Sequence, residues 1–133
     1  MHKTQTKQRM PKQKTKTKAY RDLEERTTNF AKRIVRLCKT LPKDKINYRL
    51  IDQIVRSGGS IGANYREANE ALSKKDFIYR IRISRKETKE TSHWLELIEE
   101  ANPGFSMRMQ DLYREAVELR SIFSAIIMKV ENK

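Results

Sequence analysis

The chain has 133 residues, and its 30 Lys and Arg against 17 Asp and Glu give a net charge of +13 and a pI of about 10. The single cysteine excludes an intramolecular disulfide, no run reaches the roughly 18 apolar residues of a membrane span, and no secretion signal is visible. Four Gly and three Pro are few for a turn-rich β protein. We therefore expect a helical, cytoplasmic protein with no membrane partner, whose charge favours a polyanion.

The positive charge is concentrated at the start of the chain. Residues 1–18 hold seven Lys and Arg, no acid and almost no apolar side chain. Such a segment buries too little surface to offset its ordering entropy, so we predict a disordered basic arm over 1–18 and a folded domain over 19–133. The candidate nucleic-acid contacts of this arm are Lys12, Lys14, Lys16 and Lys18.

Four apolar stripes with helical spacing follow the arm. They cover residues 23–41, 50–72, 77–98 and 109–130. Asp22 is a predicted cap for the first helix, Pro42 ends it, Ser73 is a predicted cap for the third, and residues 102–104 form a turn. Four amphipathic segments with short connections predict an all-α fold, an antiparallel up-down-up-down four-helix bundle.

Three of the four glycines lie within one five-residue segment of the second stripe. Gly58, Gly59 and Gly62 would each cost about 1 kcal/mol relative to alanine inside a helix. Either Gly58 and Gly62, one turn apart, let a neighbouring helix approach, or the stretch forms a phosphate-binding loop. A P-loop would need the pattern GxxxxGK[ST] or a preceding strand, and neither is present, so the sequence favours close packing.

Polar residues interrupt the third stripe at Ser84, Thr88 and Thr91, with Arg80 and Glu87 flanking them. A partly buried ionic network is predicted from these and from residues of the second and third helices, namely Arg56, Asn64, Glu67 and Glu90. We expect it to set helix register rather than to catalyse, because buried ion pairs add little net stability.

The opposite face of the third helix carries a basic stripe. Five residues lie within about 60° of one another on a helical projection: Lys75, Arg82, Lys86, Lys89 and His93. No acid lies among them. The stripe is therefore either an ordinary solvated face or a row of phosphate contacts.

Signs of catalysis are weak. Glu90 and His93 have the Glu-x-x-His spacing of di-iron bundles, but the other histidine, His2, lies in the arm and cannot complete such a site. Cys38 adjoins the first apolar stripe and is predicted to be buried, while Trp94 is predicted to lie in the core or in an oligomer contact. We find no nucleophile–base pair and no metal cluster, so we expect no enzyme, no metal and no cofactor.

The order of several short motifs is familiar. They are Leu41-Pro42-Lys43, Gln53–Ser57, Ser60–Asn64 with Glu67-Ala68, Ser73–Phe77, and Lys86-Glu87 with Glu90 and Trp94-Leu95. Over about residues 20–130 the chain closely resembles the four-helix-bundle family encoded by intervening sequences in bacterial 23S rRNA genes. The residues that carry the resemblance are Arg56, Ser60, Gly62, Asn64, Glu67, Phe77, Glu87, Glu90 and Trp94.

This resemblance implies an antiparallel bundle, a homopentamer and no catalytic residues. Relatives of the family include the Avd accessory proteins of diversity-generating retroelements, which bind nucleic acid and partner a reverse transcriptase. The expected function is therefore non-catalytic, sequence-tolerant binding of RNA or DNA, with Tyr65, Tyr79 and Trp94 offering area for self-association. The alternative is a structural or protein-interaction module whose charge serves solubility. A metalloenzyme is the third alternative, but the sequence lacks the ligands for a metal site.

Overall fold

The computed structural model describes the backbone of residues 14–132 and the side chains of residues 22–132. Four α-helices account for most of this chain: α1 (Lys14–Thr40), α2 (Lys45–Asn69), α3 (Lys74–Ala101) and α4 (Ser106–Glu131). A 3₁₀ turn, Pro103–Phe105, precedes α4 at the predicted turn. Residues 14–132 contain no strand, so the all-α prediction is confirmed. No helix in this part of the chain combines the length and apolarity that a membrane crossing requires.

Each helix packs against the next along the chain, and α1 also contacts α4. Between α2 and α3 the bonded pairs are 57 with 91, 61 with 84, and 64 with 80. Between α1 and α4, Arg26 pairs with Glu115, and Arg108 donates to Thr40. In both cases residue numbers rise along one helix as they fall along its neighbour, which is the pairing expected of antiparallel helices.

Of the two helix starts predicted from capping residues, one is confirmed and the other is wrong. The Ser73 hydroxyl accepts a hydrogen bond from the amide of Asp76 at 3.0 Å, so the predicted cap of α3 is confirmed. The start predicted at Asp22 is wrong, because α1 begins eight residues earlier, at Lys14. Residues 14–18 of the predicted arm are therefore helical, while residues 1–13 lie outside the described residues. Lys and Ala favour helix, and extending an existing helix costs far less than nucleating one.

Side chains from every helix form the core. The largest fully buried apolar ones are Phe30, Ile34, Leu37, Ile54, Ile61, Ile81, Leu95, Ile98, Met109, Leu119 and Phe123. All of these lie on the predicted stripes, and each stabilises the fold by about 1.5–3 kcal/mol through burial. Three stripe predictions were wrong: Leu72 is 99% exposed because α2 ends before it, Val55 is 41% exposed, and Ile127 is buried where the helical spacing predicts Ile126.

The glycine-rich stretch lies inside the continuous helix α2, so it forms no phosphate-binding loop. A Cβ added at Gly62 would come within 2.9 Å of Thr27 Oγ1, and one added at Gly58 within 2.7 Å of Ile34 Cδ1. Among the described residues nothing lies within 4 Å of the corresponding position at Gly59. Gly58 and Gly62 thus lie at the contact of α2 with α1, whereas Gly59 faces away from it.

Candidate functional site

Buried hydroxyl groups join α2 to α3. Thr91 Oγ1 lies 2.8 Å from Ser57 Oγ and 2.8 Å from the carbonyl oxygen of Glu87. The Ser84 hydroxyl donates to the carbonyl oxygen of Ile61 across the helix interface at 2.9 Å. Because these bonds form in only one alignment of the two helices, they fix register rather than create a reactive site.

The predicted ionic network is present between α2 and α3, with one exception. Arg56 lies 3.3 Å from the buried carboxylate of Glu87 and also pairs with Glu90. The indole nitrogen of Trp94 donates to Glu90 at 3.2 Å. Glu67 does not join this network. Its side chain is exposed and has no bond to any side chain in residues 22–132.

The other motif residues form hydrogen bonds or packing contacts within the bundle. Arg80 donates to Asn64 at 3.1 Å, which adds a second bond between α3 and α2. The Ser60 hydroxyl donates to the carbonyl oxygen of Arg56 within α2 at 2.9 Å. Phe77 is half-buried and packs on the core, as Trp94 does. These residues hold the bundle together.

The basic stripe on α3 lies at the surface, and part of it borders α4. All five predicted residues are exposed. Three of them share a cleft of about 390 Å³ with residues of α3 and α4, here called the α3–α4 groove, which is lined by Arg82, Arg85, Lys86, Lys89, Arg120 and Ser124. In the structure, therefore, basic residues of α3 and of α4 together line one groove.

The α3–α4 groove contains five cationic side chains and no carboxylate among its lining residues. Arg85 donates to the Ser124 hydroxyl at 3.3 Å, which anchors its guanidinium between the two helices. Arg82 pairs with the exposed carboxylate of Glu131 at one end of the groove. Within residues 22–132, Lys86, Lys89 and Arg120 form no ion pair. Their charges are therefore available to an external anion.

Sequence reasoning missed Arg85 and Arg120. Arg85 follows Arg82 by three residues and precedes Lys89 by four, so a wider angular window on α3 would have included it. Arg120 is on α4, and no local pattern indicates that it lines the same groove as Lys86. That juxtaposition depends on the alignment of α3 with α4.

The remaining predicted contacts lie outside the groove. Lys75 borders a different cleft nearer the start of α3, and the His93 ring lies beside Trp94 with centroids 5.0 Å apart. Of the predicted arm contacts, Lys12 lies outside the described residues. Only backbone is described for Lys14, Lys16 and Lys18, which are in α1.

Two further predictions concerned the burial of Cys38 and the place of Tyr65 at a self-association surface. Cys38 is buried, as predicted, and burial raises the pKa of its thiol to about 11. Tyr65 was expected at a self-association surface, but it is only 2% exposed and its ring packs 6.1 Å from that of Phe123. Within the described part of the chain, no group of three or more His, Cys, Asp or Glu side chains is placed to hold a metal ion.

A second basic cleft, of about 220 Å³, lies between α1 and α4. Its lining residues are Arg33, Arg36, Arg108, Asp111 and Leu112. Asp111 pairs with Arg114 and brings a carboxylate to the cleft wall. This cleft is therefore smaller and less positive than the α3–α4 groove, which is the better candidate for anion binding.

Comparison with known proteins places the chain among helical proteins of one family. Residues 21–125 match the model of the 23S rRNA-intervening sequence protein family. A crystal structure of a protein of unknown function from the S23 ribosomal protein family of Bacteroides thetaiotaomicron is 36% identical, with a TM-score of 0.72, over 78% of this chain and 96% of that one. No curated protein matches the chain. On the family match and this structural likeness, the chain belongs to the 23S rRNA-intervening sequence protein family.

Proposed function

We propose that this protein is a non-catalytic, sequence-tolerant nucleic-acid-binding protein and that the α3–α4 groove is its phosphate-contacting surface. The observation that carries the proposal is the convergence of five cations on one groove without a lining carboxylate. In a chain of net charge +13, such a groove concentrates the positive field where a polyanion approaches.

The chemistry of the groove suits phosphodiesters. Arginine presents a planar fork of donors that matches two phosphate oxygens, and lysine adds a mobile point charge. The Arg82–Glu131 pair is exposed on both sides, so a phosphate can replace the carboxylate at little cost. Because contacts to phosphate carry no base information, binding through this groove would tolerate many sequences.

Family resemblance supports the finer parts of the proposal. It favours an antiparallel up-down-up-down bundle that assembles as a homopentamer, in which five copies of a +13 chain would carry +65. It also favours a cytoplasmic role as an Avd-like accessory factor of a reverse transcriptase. The family name ties these proteins to 23S rRNA intervening sequences, which is consistent with an RNA ligand.

A second function, protein interaction, is favoured by the outward face of α4. Val117 and Met128 are large apolar side chains that remain exposed there. A face of this kind suits another copy of the chain or a protein partner. This face adjoins the α3–α4 groove, because Val117 and Met128 lie within about 40° of Ser124 on a helical projection.

The experiment that tests the proposed function is direct binding of a labelled RNA and a labelled DNA duplex to the full chain, followed by fluorescence anisotropy. We expect both to bind at about 50 mM salt and to weaken as salt rises. If neither binds at that salt concentration, the nucleic-acid function is wrong and the protein-interaction function takes its place.

A further inference from the structure

A mostly apolar cleft adjoins the α3–α4 groove. It has a volume of about 570 Å³ and is called the Tyr79 cleft here, with Lys74, Lys75, Ile78, Tyr79, Arg82 and Glu131 as its lining residues. Arg82 lines both the cleft and the groove. A ligand that follows the basic groove past Arg82 therefore meets an apolar surface next.

Tyr79 is an aromatic side chain within the basic stripe. On a helical projection it lies about 20° from Lys86 and about 40° from Lys75, at the edge of the face of α3 that carries the cations. Its side chain is 58% exposed even though the ring is large and apolar. Arg80, which bonds to Asn64 on α2, lies 5.8 Å from the ring centroid and braces the ring.

From this juxtaposition we propose that the Tyr79 cleft receives an unpaired base of a single strand whose phosphates lie in the α3–α4 groove. The inference rests on the proposed function and adds to it a base contact that single-stranded nucleic acid can make and a duplex cannot. A basic channel combined with an aromatic platform is how proteins hold single strands, because every base has a face that stacks. A duplex keeps its bases stacked on one another and cannot present such a face without unpairing.

The chemistry of the cleft distinguishes a base from a phosphate as its occupant. Ile78 and the ring of Tyr79 give it apolar walls, and the methylene stems of Lys74 and Lys75 extend them. The carboxylate of Glu131 would repel a phosphate, but it can accept a hydrogen bond from a base amino group. The anionic part of the strand thus belongs in the groove and the aromatic part in the cleft.

The test compares Tyr79→Ala with wild type on a labelled single-stranded RNA 12-mer and on the duplex of the same sequence. Loss of one stacked base should weaken single-strand binding about 5- to 150-fold and leave duplex binding within about twofold. Tyr79→Phe should keep wild-type binding, because the ring supplies the stacking. Tyr48→Ala is the matched control, because Tyr48 on α2 is 53% exposed, and it should change neither affinity.

Melting temperature and sedimentation of each variant show whether fold or assembly has changed. The inference is overturned if Tyr79→Ala binds the single strand as wild type does, if both ligands weaken equally, or if the variant changes oligomer size, which would make Tyr79 a self-association contact. In the first case wild-type binding survives and the proposed function stands. If wild type binds no nucleic acid, both fail.

Discussion

Gly62 on α2 and Thr27 on α1 bring their two helices into close contact. A Cβ at Gly62 would come within 2.9 Å of Thr27 Oγ1 and 3.3 Å of Thr27 Cβ. Thr27 is fully buried, and its hydroxyl lies 2.9 Å from the carbonyl oxygen of Leu23 and 3.0 Å from that of Glu24. A side chain held in this way has little room to move aside, so Gly62 sets the spacing between α1 and α2.

The first prediction follows from that spacing. Gly62→Ala should lower the free energy of unfolding by about 1–3 kcal/mol, because overpacking at Thr27 outweighs the helix propensity gained. Gly59→Ala is the matched control in the same helix. With open space at its Cβ, it should raise the free energy of unfolding by up to about 1 kcal/mol. Urea titrations measure both, and a stabilised Gly62→Ala variant would contradict the packing account.

The second prediction concerns a reciprocal amide pair at one end of the bundle. Asn47 and Asn102 are both buried, and each donates to the side-chain oxygen of the other at 2.9 Å. Asn102→Leu should cost about 1–3 kcal/mol, because Asn47 then keeps an unpaired buried oxygen. Changing both residues to Leu should cost less than the sum of the single changes. Additive losses in a double-mutant cycle would show that the amides do not interact.

The third prediction is that Cys38 reacts slowly in the folded protein. Burial raises the pKa of its thiol to about 11, so almost none is thiolate at pH 8. Ellman's reagent should react with it at the rate of unfolding and with the urea-unfolded chain within seconds to minutes. Because the unfolded thiol ionises near pH 9 and the folded one does not, stability should fall as pH rises from 9 toward 11. Rapid labelling of the folded chain at pH 8 would contradict this burial.

The features that depend on the spacing of residues within one helix could be predicted from the sequence. The four helices, the Ser73 cap and the role of the glycines followed from periodicity and from the cost of glycine in a helix. The start of α1 was missed because Asp22 has the residue type of a cap but lies inside a helix that continues to Lys14. Arg120 in the candidate site was missed for another reason. Arg120 meets the α3 stripe only through helix packing, which no single-helix pattern encodes.

The fourth prediction separates the beginning of the chain from the groove. Residues 1–13 hold four Lys and Arg, and each one that neutralises a phosphate contributes about −0.7 to the salt slope on a single strand. Deleting residues 1–13 should therefore weaken RNA binding and flatten its dependence on salt, while binding through the α3–α4 groove persists. Affinity measured from 50 to 200 mM salt gives both values. An unchanged slope would show that these residues do not contact phosphate.

Two triple charge reversals of equal net charge test whether the α3–α4 groove contacts phosphate. Lys86→Glu/Lys89→Glu/Arg120→Glu alters the α3–α4 groove, and none of these residues has an ion-pair partner within residues 22–132. Lys43→Glu/Lys45→Glu/Arg49→Glu is the control, at exposed positions near the other end of the bundle. Each set lowers the net charge of +13 by six, to +7.

Anisotropy titrations with a labelled single-stranded RNA, from 50 to 200 mM salt, give the affinity and the salt slope for both variants and for wild type. We expect the groove variant to lose at least about tenfold in affinity at 50 mM salt and about two units of salt slope, whereas the control should stay within about threefold of wild type. Equal losses in the two variants, or no loss in the groove variant, would show that the α3–α4 groove is not the phosphate-contacting surface.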